Sequence, residues 1–119
     1  QSDGWLKSEW ILDGRFVRSH FHLNNMMGQP FDGYAFVGYD NGTEEYVSVW
    51  MDSMSTKVFV HEGRFEGDSF ITQGENGMGG EMRIVSEQID EDTVRDVFYE
   101  RQSPEAEWVK SGETVYTRR

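Results

Sequence analysis

The chain has no cysteine. That absence removes disulfides, thiolate nucleophiles and zinc–thiolate sites together, without fixing the compartment. Basic residues are scarce: 11 Lys and Arg stand against 22 Asp and Glu, a formal net charge of −11. A surface of that sign repels phosphate backbones and anionic headgroups, so neither nucleic acid nor a membrane is expected as a partner. No apolar run approaches the ~20 residues of a membrane span. No segment of useful length repeats its apolar residues at the helical period. No signal peptide is present and Gln1 stands first. This fits removal of an export signal or tag, and it leaves localisation open between cytoplasm and export. A Gly-x-Ser-x-Gly elbow is also missing. Ser53 follows Asp52 directly, but neighbours on a strand point to opposite faces, so an Asp–Ser catalytic pair is out.

What the chain does have is aromatic side chains, 14% of 119 residues. A core made largely of rings, with β-branched residues around them, favours strands. The length fits one domain, residues 1–119, able to bury about two thirds of its unfolded surface. Turn signals recur at short intervals. Asp13-Gly14 separates "WLKSEWIL" from "RFVRSHFHL", and Asn24 to Gly33 reads as a longer loop. Asp40-Asn41-Gly42-Thr43, Gly67-Asp68, "ENGMGG", Asp90-Glu91-Asp92 and Ser103-Pro104-Glu105 divide the remaining β-rich runs. Asn41-Gly42-Thr43 also fits a glycosylation acceptor but reads as a turn. Turns between β-rich runs are the signature of hairpins in series. The expected fold is all-β, an antiparallel up-and-down meander of about nine strands, closed or nearly closed into a barrel that removes its edges.

Alternation along the strands is imperfect. Tyr46, Ser48, Trp50 and Asp52 share one face; Val94, Asp96, Phe98 and Glu100 share another. A sheet with one dry and one wet side would alternate more cleanly. Mixed faces fit either a partly polar cavity, an outer face that meets a partner, or a closed core with amphipathic rings outside.

Five blocks, "EWILDGRFV", "GQPFDGYAFVGYD", "YVSVWMDSMST", "ITQGE" and the terminal "VYTRR", resemble in order and spacing the bacterial domain of unknown function 1579 family. The resemblance implies a calycin-type antiparallel barrel, the architecture of lipocalins and fatty-acid-binding proteins, and brings no established activity. Family members usually start with a further segment before the first block, whereas only four residues precede Trp5 here. A strand lost from the seam would leave backbone groups that a second copy could cover, so a homodimer is expected.

Several constellations are candidates for chemistry. His20-x-His22 places two imidazoles on one strand face, the start of a metal site, but Asn24 and Asn25 stand where a cupin-like carboxylate would. They are weak ligands, and neither metal nor cofactor is expected. Asp52, Arg83, Glu87, Tyr116 and Arg118 are more suggestive. An inward Arg83 would need Asp52 or Glu87 as a structural partner, or would hold a ligand carboxylate. Asp52 is alternatively a cap for the turn Ser53 to Thr56. Rings including Trp10, Phe36, Tyr39, Trp50, Phe98, Trp108 and Tyr116 read as core or cavity wall, and Met26-Met27 as a plug or lid at the barrel end. The cavity candidates are therefore Trp50, Asp52, Arg83, Glu87, Tyr39, Phe98 and Tyr116.

The leading expectation is a non-enzymatic module that binds a small apolar or amphipathic molecule. The alternatives are a small enzyme with Asp52 or a His as general base, and an interaction protein with a filled barrel and a dimerising sheet face. A pocket of ~300 Å³ or more separates the first two from the third. A cavity carboxylate with a raised pKa favours the enzyme over the binder.

Overall fold

The computed structural model describes residues 3–119. Within them nine strands follow one another: β1 (Gly4–Ile11), β2 (Phe16–Met26), β3 (Gln29–Asp40), β4 (Glu45–Asp52), β5 (Phe59–Glu66), β6 (Ser69–Glu75), β7 (Glu81–Asp90), β8 (Thr93–Arg101) and β9 (Val109–Arg118). Among the described residues no helix is long and apolar enough to cross a membrane. Each strand pairs antiparallel with the next. Because nine is odd, the first and last strands run the same way, and the pair that closes the barrel is parallel. It sets Gly4, Trp5 and Leu6 against Tyr116, Thr117 and Arg118.

That seam is short and is extended at its ends by further bonds. Asp3 gives its backbone N–H to the Val115 carbonyl and accepts the Val115 N–H on Oδ2, and the Arg119 N–H reaches the Leu6 carbonyl. The expectation of a missing seam strand is thus corrected: β1 and β9 pair directly over Gly4–Leu6 and Tyr116–Arg118 and close the barrel. On its other side, Gly4 lets β1 lie close against β2. A Cβ at this position would overlap the His22 backbone carbonyl.

The turns explain a second correction. Asn24 to Gly33 is not a long loop, because β2 runs through Met26 and β3 begins at Gln29. Met27 and Gly28 form a tight turn with positive φ at both positions, 53° and 90°, the geometry that matches the right-handed twist of a hairpin. The Asn25 Oδ1 accepts the Gly28 N–H and holds the turn. A bulge between Leu23 and Met26 absorbs the extra residues.

The packed core is small and lies towards one end. Leu6, Leu23, Phe31, Val94 and Tyr116 form it, with Phe21, Met26 and Trp50 against them. Phe21 meets Tyr116 and Trp50 edge-on, at 5.0 and 5.5 Å between ring centres. Elsewhere many inward side chains, such as Phe70, Ile84 and Phe98, are only half-buried, since they face an internal space rather than each other.

Candidate functional site

The inward faces of the strands enclose a cavity of about 580 Å³. That lies within the ~300–1,000 Å³ range of small-molecule sites. Strand register decides which residues reach it, because a side chain's face flips with every residue. On β4 the inward set is Ser48, Trp50 and Asp52; on β7 it is Met82, Ile84 and Ser86; on β8 it is Val94, Asp96 and Phe98; on β9 it is Thr114, Tyr116 and Arg118. Most of the remaining wall is apolar, from residues such as Leu6, Phe31, Ala35 and Phe70. Two glycines open space for inner rings: a Cβ at Gly33 would overlap the Trp50 ring, and one at Gly74 would overlap His61.

Four of the seven expected cavity residues, Trp50, Asp52, Phe98 and Tyr116, line this space. Three do not. Arg83 lies on the outer face of β7, giving two N–H groups to the Gln73 Oε1 at 3.2 and 3.0 Å. Its guanidinium also covers the Trp108 ring, which Arg101 contacts too, at 4.6 and 4.2 Å. Glu87 is likewise outside, paired with Arg95 at 2.7 Å. The alternation that turns Ile84 and Ser86 inward necessarily turns Arg83 and Glu87 out. Tyr39 has the inward parity of β3 but sits past the end of the cavity, half-exposed, with its ring edge-on to Tyr46. The proposed Arg83 pairing with Asp52 or Glu87 therefore does not exist. Asp52 instead accepts the Trp50 Nε1–H on Oδ2 at 2.7 Å and the Met54 N–H on Oδ1 at 2.9 Å. It caps the turn after β4 and fixes the indole against the wall.

Other expectations also move. Met26 lines the cavity, whereas Met27 projects into solvent. Trp10 is on the outside and 71% exposed.

Three cavity groups were not foreseen. Asp96 is the most distinctive: the residue is 9% exposed, and its Oδ1 has no hydrogen-bond partner. It sits opposite Ser86 on β7 and Thr114 on β9. Burial raises its pKa from 3.8 to about 6, and only the Ser86 hydroxyl works against that. The adjacent Tyr116 hydroxyl is held far above its usual range, by burial first and then by the Asp96 and Asp3 carboxylates. The second group is His61, buried, its Nε2 2.9 Å from the Glu75 carbonyl. A carbonyl only accepts, so Nε2 carries the proton, leaving Nδ1 as an acceptor in the neutral ring. The third is Thr72, buried on the wall formed by β6. The sequence signal for Asp96 was a carboxylate between Val94 and Phe98 on one strand face. For His61 and Thr72 there was none.

His20 and His22 lie outside the barrel. Both bond the Asp32 Oδ1, at 2.9 and 3.0 Å, and their hydrogen bonds lower the Asp32 pKa. Trp5 and Tyr34 stack on the two imidazoles. Among the described residues no three His, Cys, Asp or Glu side chains are arranged to hold a metal ion. Here one carboxylate oxygen serves two imidazoles as a shared acceptor, bracing β2 against β3.

Fold and site together define a closed all-β barrel with an internal, mostly apolar cavity and one buried carboxylate. The chain belongs to the family described as "Protein of unknown function (DUF1579)", whose model matches residues 1–118. No curated protein and no solved structure matches it.

Proposed function

We propose that this barrel is a binding module for one small, largely apolar molecule taken into its interior. The observation that carries the reading is the cavity itself: about 580 Å³, walled mainly by apolar side chains, with hydroxyls such as Ser86 and Thr72 and the Asp96 carboxylate set among them. Apolar surface supplies affinity in such a site and isolated polar groups supply orientation. The filled-barrel alternative lacks its premise, because the interior is not filled. Native mass spectrometry of protein purified from its own host tests the reading. The expected result is a species heavier than the chain by one small molecule. Protein that comes off bare, and that also takes up no neutral dye such as Nile red in a saturable one-to-one titration, overturns it. The same spectrum reads the oligomer.

A second reading, a small enzyme, has one observation behind it. A cavity carboxylate with a raised pKa, Asp96, suits general-acid or general-base work. Catalysis also needs a second reactive group beside it. The neighbours are the Ser86 and Thr114 hydroxyls and the Tyr116 phenol, which is held reluctant to ionise. Neither supplies an activated nucleophile or a proton relay, so binding leads.

A further inference from the structure

We infer that the molecule taken into the cavity is an apolar amine, whose protonated nitrogen sits on the carboxylate of Asp96. The inference rests on the cavity being a binding site and adds the chemistry of the ligand's polar end. It starts from a mismatch. An ionised carboxylate has room for about four hydrogen bonds. Asp96 is 9% exposed, has only the Ser86 hydroxyl as a donor, and leaves Oδ1 without a partner. Buried polar atoms are nearly always satisfied, and one left without a partner on a side chain that lines a cavity points to a group that arrives with the ligand. The soft terminal torsion of a carboxylate lets either oxygen turn to meet it.

The sign of that group follows from the other polar side chains. Arg118 is the one guanidinium on the wall among the described residues; it is exposed and gives one N–H to the neutral Gln88 Oε1 at 2.7 Å. His61 spends its Nε2–H on the Glu75 carbonyl. No lysine lines the space. The buried polar end of the interior is therefore an acceptor with a negative charge, and the cation on its wall, Arg118, stands exposed to solvent. This inverts the arrangement expected from an inward Arg83, which would have held a fatty-acid carboxylate. The chain's net charge of −11 works in the same direction, concentrating cations around the barrel. An amine attached to an apolar body satisfies both parts of the site: the body replaces water along the rings, and the ammonium completes Asp96.

The test is a displacement series on the full chain. Nile red bound to the barrel is competed off with decylamine, decanol and decanoic acid, which share one apolar body and differ only at the head. The expected order is amine, then alcohol, then acid, with amine ahead of alcohol by about tenfold to a hundredfold, the worth of a hydrogen bond to a charged group. In Asp96→Asn the amine is expected to fall to the level of the alcohol while the alcohol is unchanged. Equal affinities for the three heads, or acid binding best, overturn the inference and leave the cavity reading standing. An amine preference that survives intact in Asp96→Asn overturns it too. No displacement by any of the three, with no saturable Nile red uptake, removes the cavity reading itself. The comparison of the three heads on the unaltered protein needs no variant to fold.

Discussion

Replacing Asp96 with Asn should make the empty barrel more stable at neutral pH. Burying a carboxylate without a counter-charge penalises the folded state, and the raised pKa measures the penalty. The shift from 3.8 to about 6 corresponds to ~3 kcal/mol. The Asn amide has its own need for partners, and water in the cavity solvates part of the charge, so a net gain of ~1–2 kcal/mol is expected. For a domain of this size that is roughly 5–10 °C in Tm. The sign with pH follows from proton counting. Between the unfolded value of 3.8 and the folded value of about 6, the folded state holds more protons at Asp96 than the unfolded chain. Acidification therefore favours the fold through this group: the penalty is full above the folded value and gone below the unfolded one. Asp32, Asp90 and Glu113, whose pKa values are lowered, pull the other way as pH falls. They are common to both proteins and cancel in the difference. The groups facing Asp96, the Ser86 and Thr114 hydroxyls and the Tyr116 phenol, do not titrate in that window. Thermal unfolding of both proteins by circular dichroism at about pH 7.5 and about pH 4.5 reads the effect. The reasoning fails if Asp96→Asn is the less stable protein at the higher pH, or if its advantage is the same at both.

Three further outcomes are expected. Gly4→Ala should cost ~2–3 kcal/mol in a denaturant melt, because the new Cβ meets the rigid His22 backbone carbonyl on β2; a cost under ~0.5 kcal/mol would mean that the β1–β2 pair gives way easily at this end. Asp52→Asn should lose one of the two bonds that Asp52 accepts, from Trp50 Nε1 and Met54 N, and lower stability by ~1 kcal/mol; an unchanged midpoint would show that the lost bond contributes nothing. Asp32→Asn should cost under ~1 kcal/mol, since the His20 and His22 contacts are half-exposed; a drop of several kcal/mol would give that outer cluster a structural weight its exposure denies.

Fold and site differed in how far they could be read from the chain. Hairpin turns are local chemistry: a Gly or Asn that tolerates positive φ marks a reversal wherever it falls, so nine strands were countable. Asn24 to Gly33 misled because Met27 takes positive φ without being Gly or Asn. The β1–β9 seam depends on residues over a hundred positions apart, and no local signal reports it. For the site, alternation grouped Trp50 with Asp52 and Val94 with Phe98 correctly, but it cannot say which of two faces is inside. Arg83 and Glu87 were placed inward on a plausible charge argument. Their strand turned the other way, because Ile84 and Met82 had more to gain from burial. Asp96 went unnoticed for the complementary reason: a lone carboxylate among apolar residues looks like a solvated position until register turns it inward.

The account's central claim is that the interior of the barrel is the ligand site. Nile red titration of Ala35→Phe beside Val60→Phe tests it most directly. Ala35 is on the cavity wall, whereas Val60 is 62% exposed. The account predicts saturable one-to-one binding to the unaltered chain, weakened about tenfold or more by the ring at Ala35 that fills the space. It predicts no change from the ring at Val60. Binding that ignores Ala35→Phe, or that responds to Val60→Phe instead, would place the dye on the outer surface and contradict it.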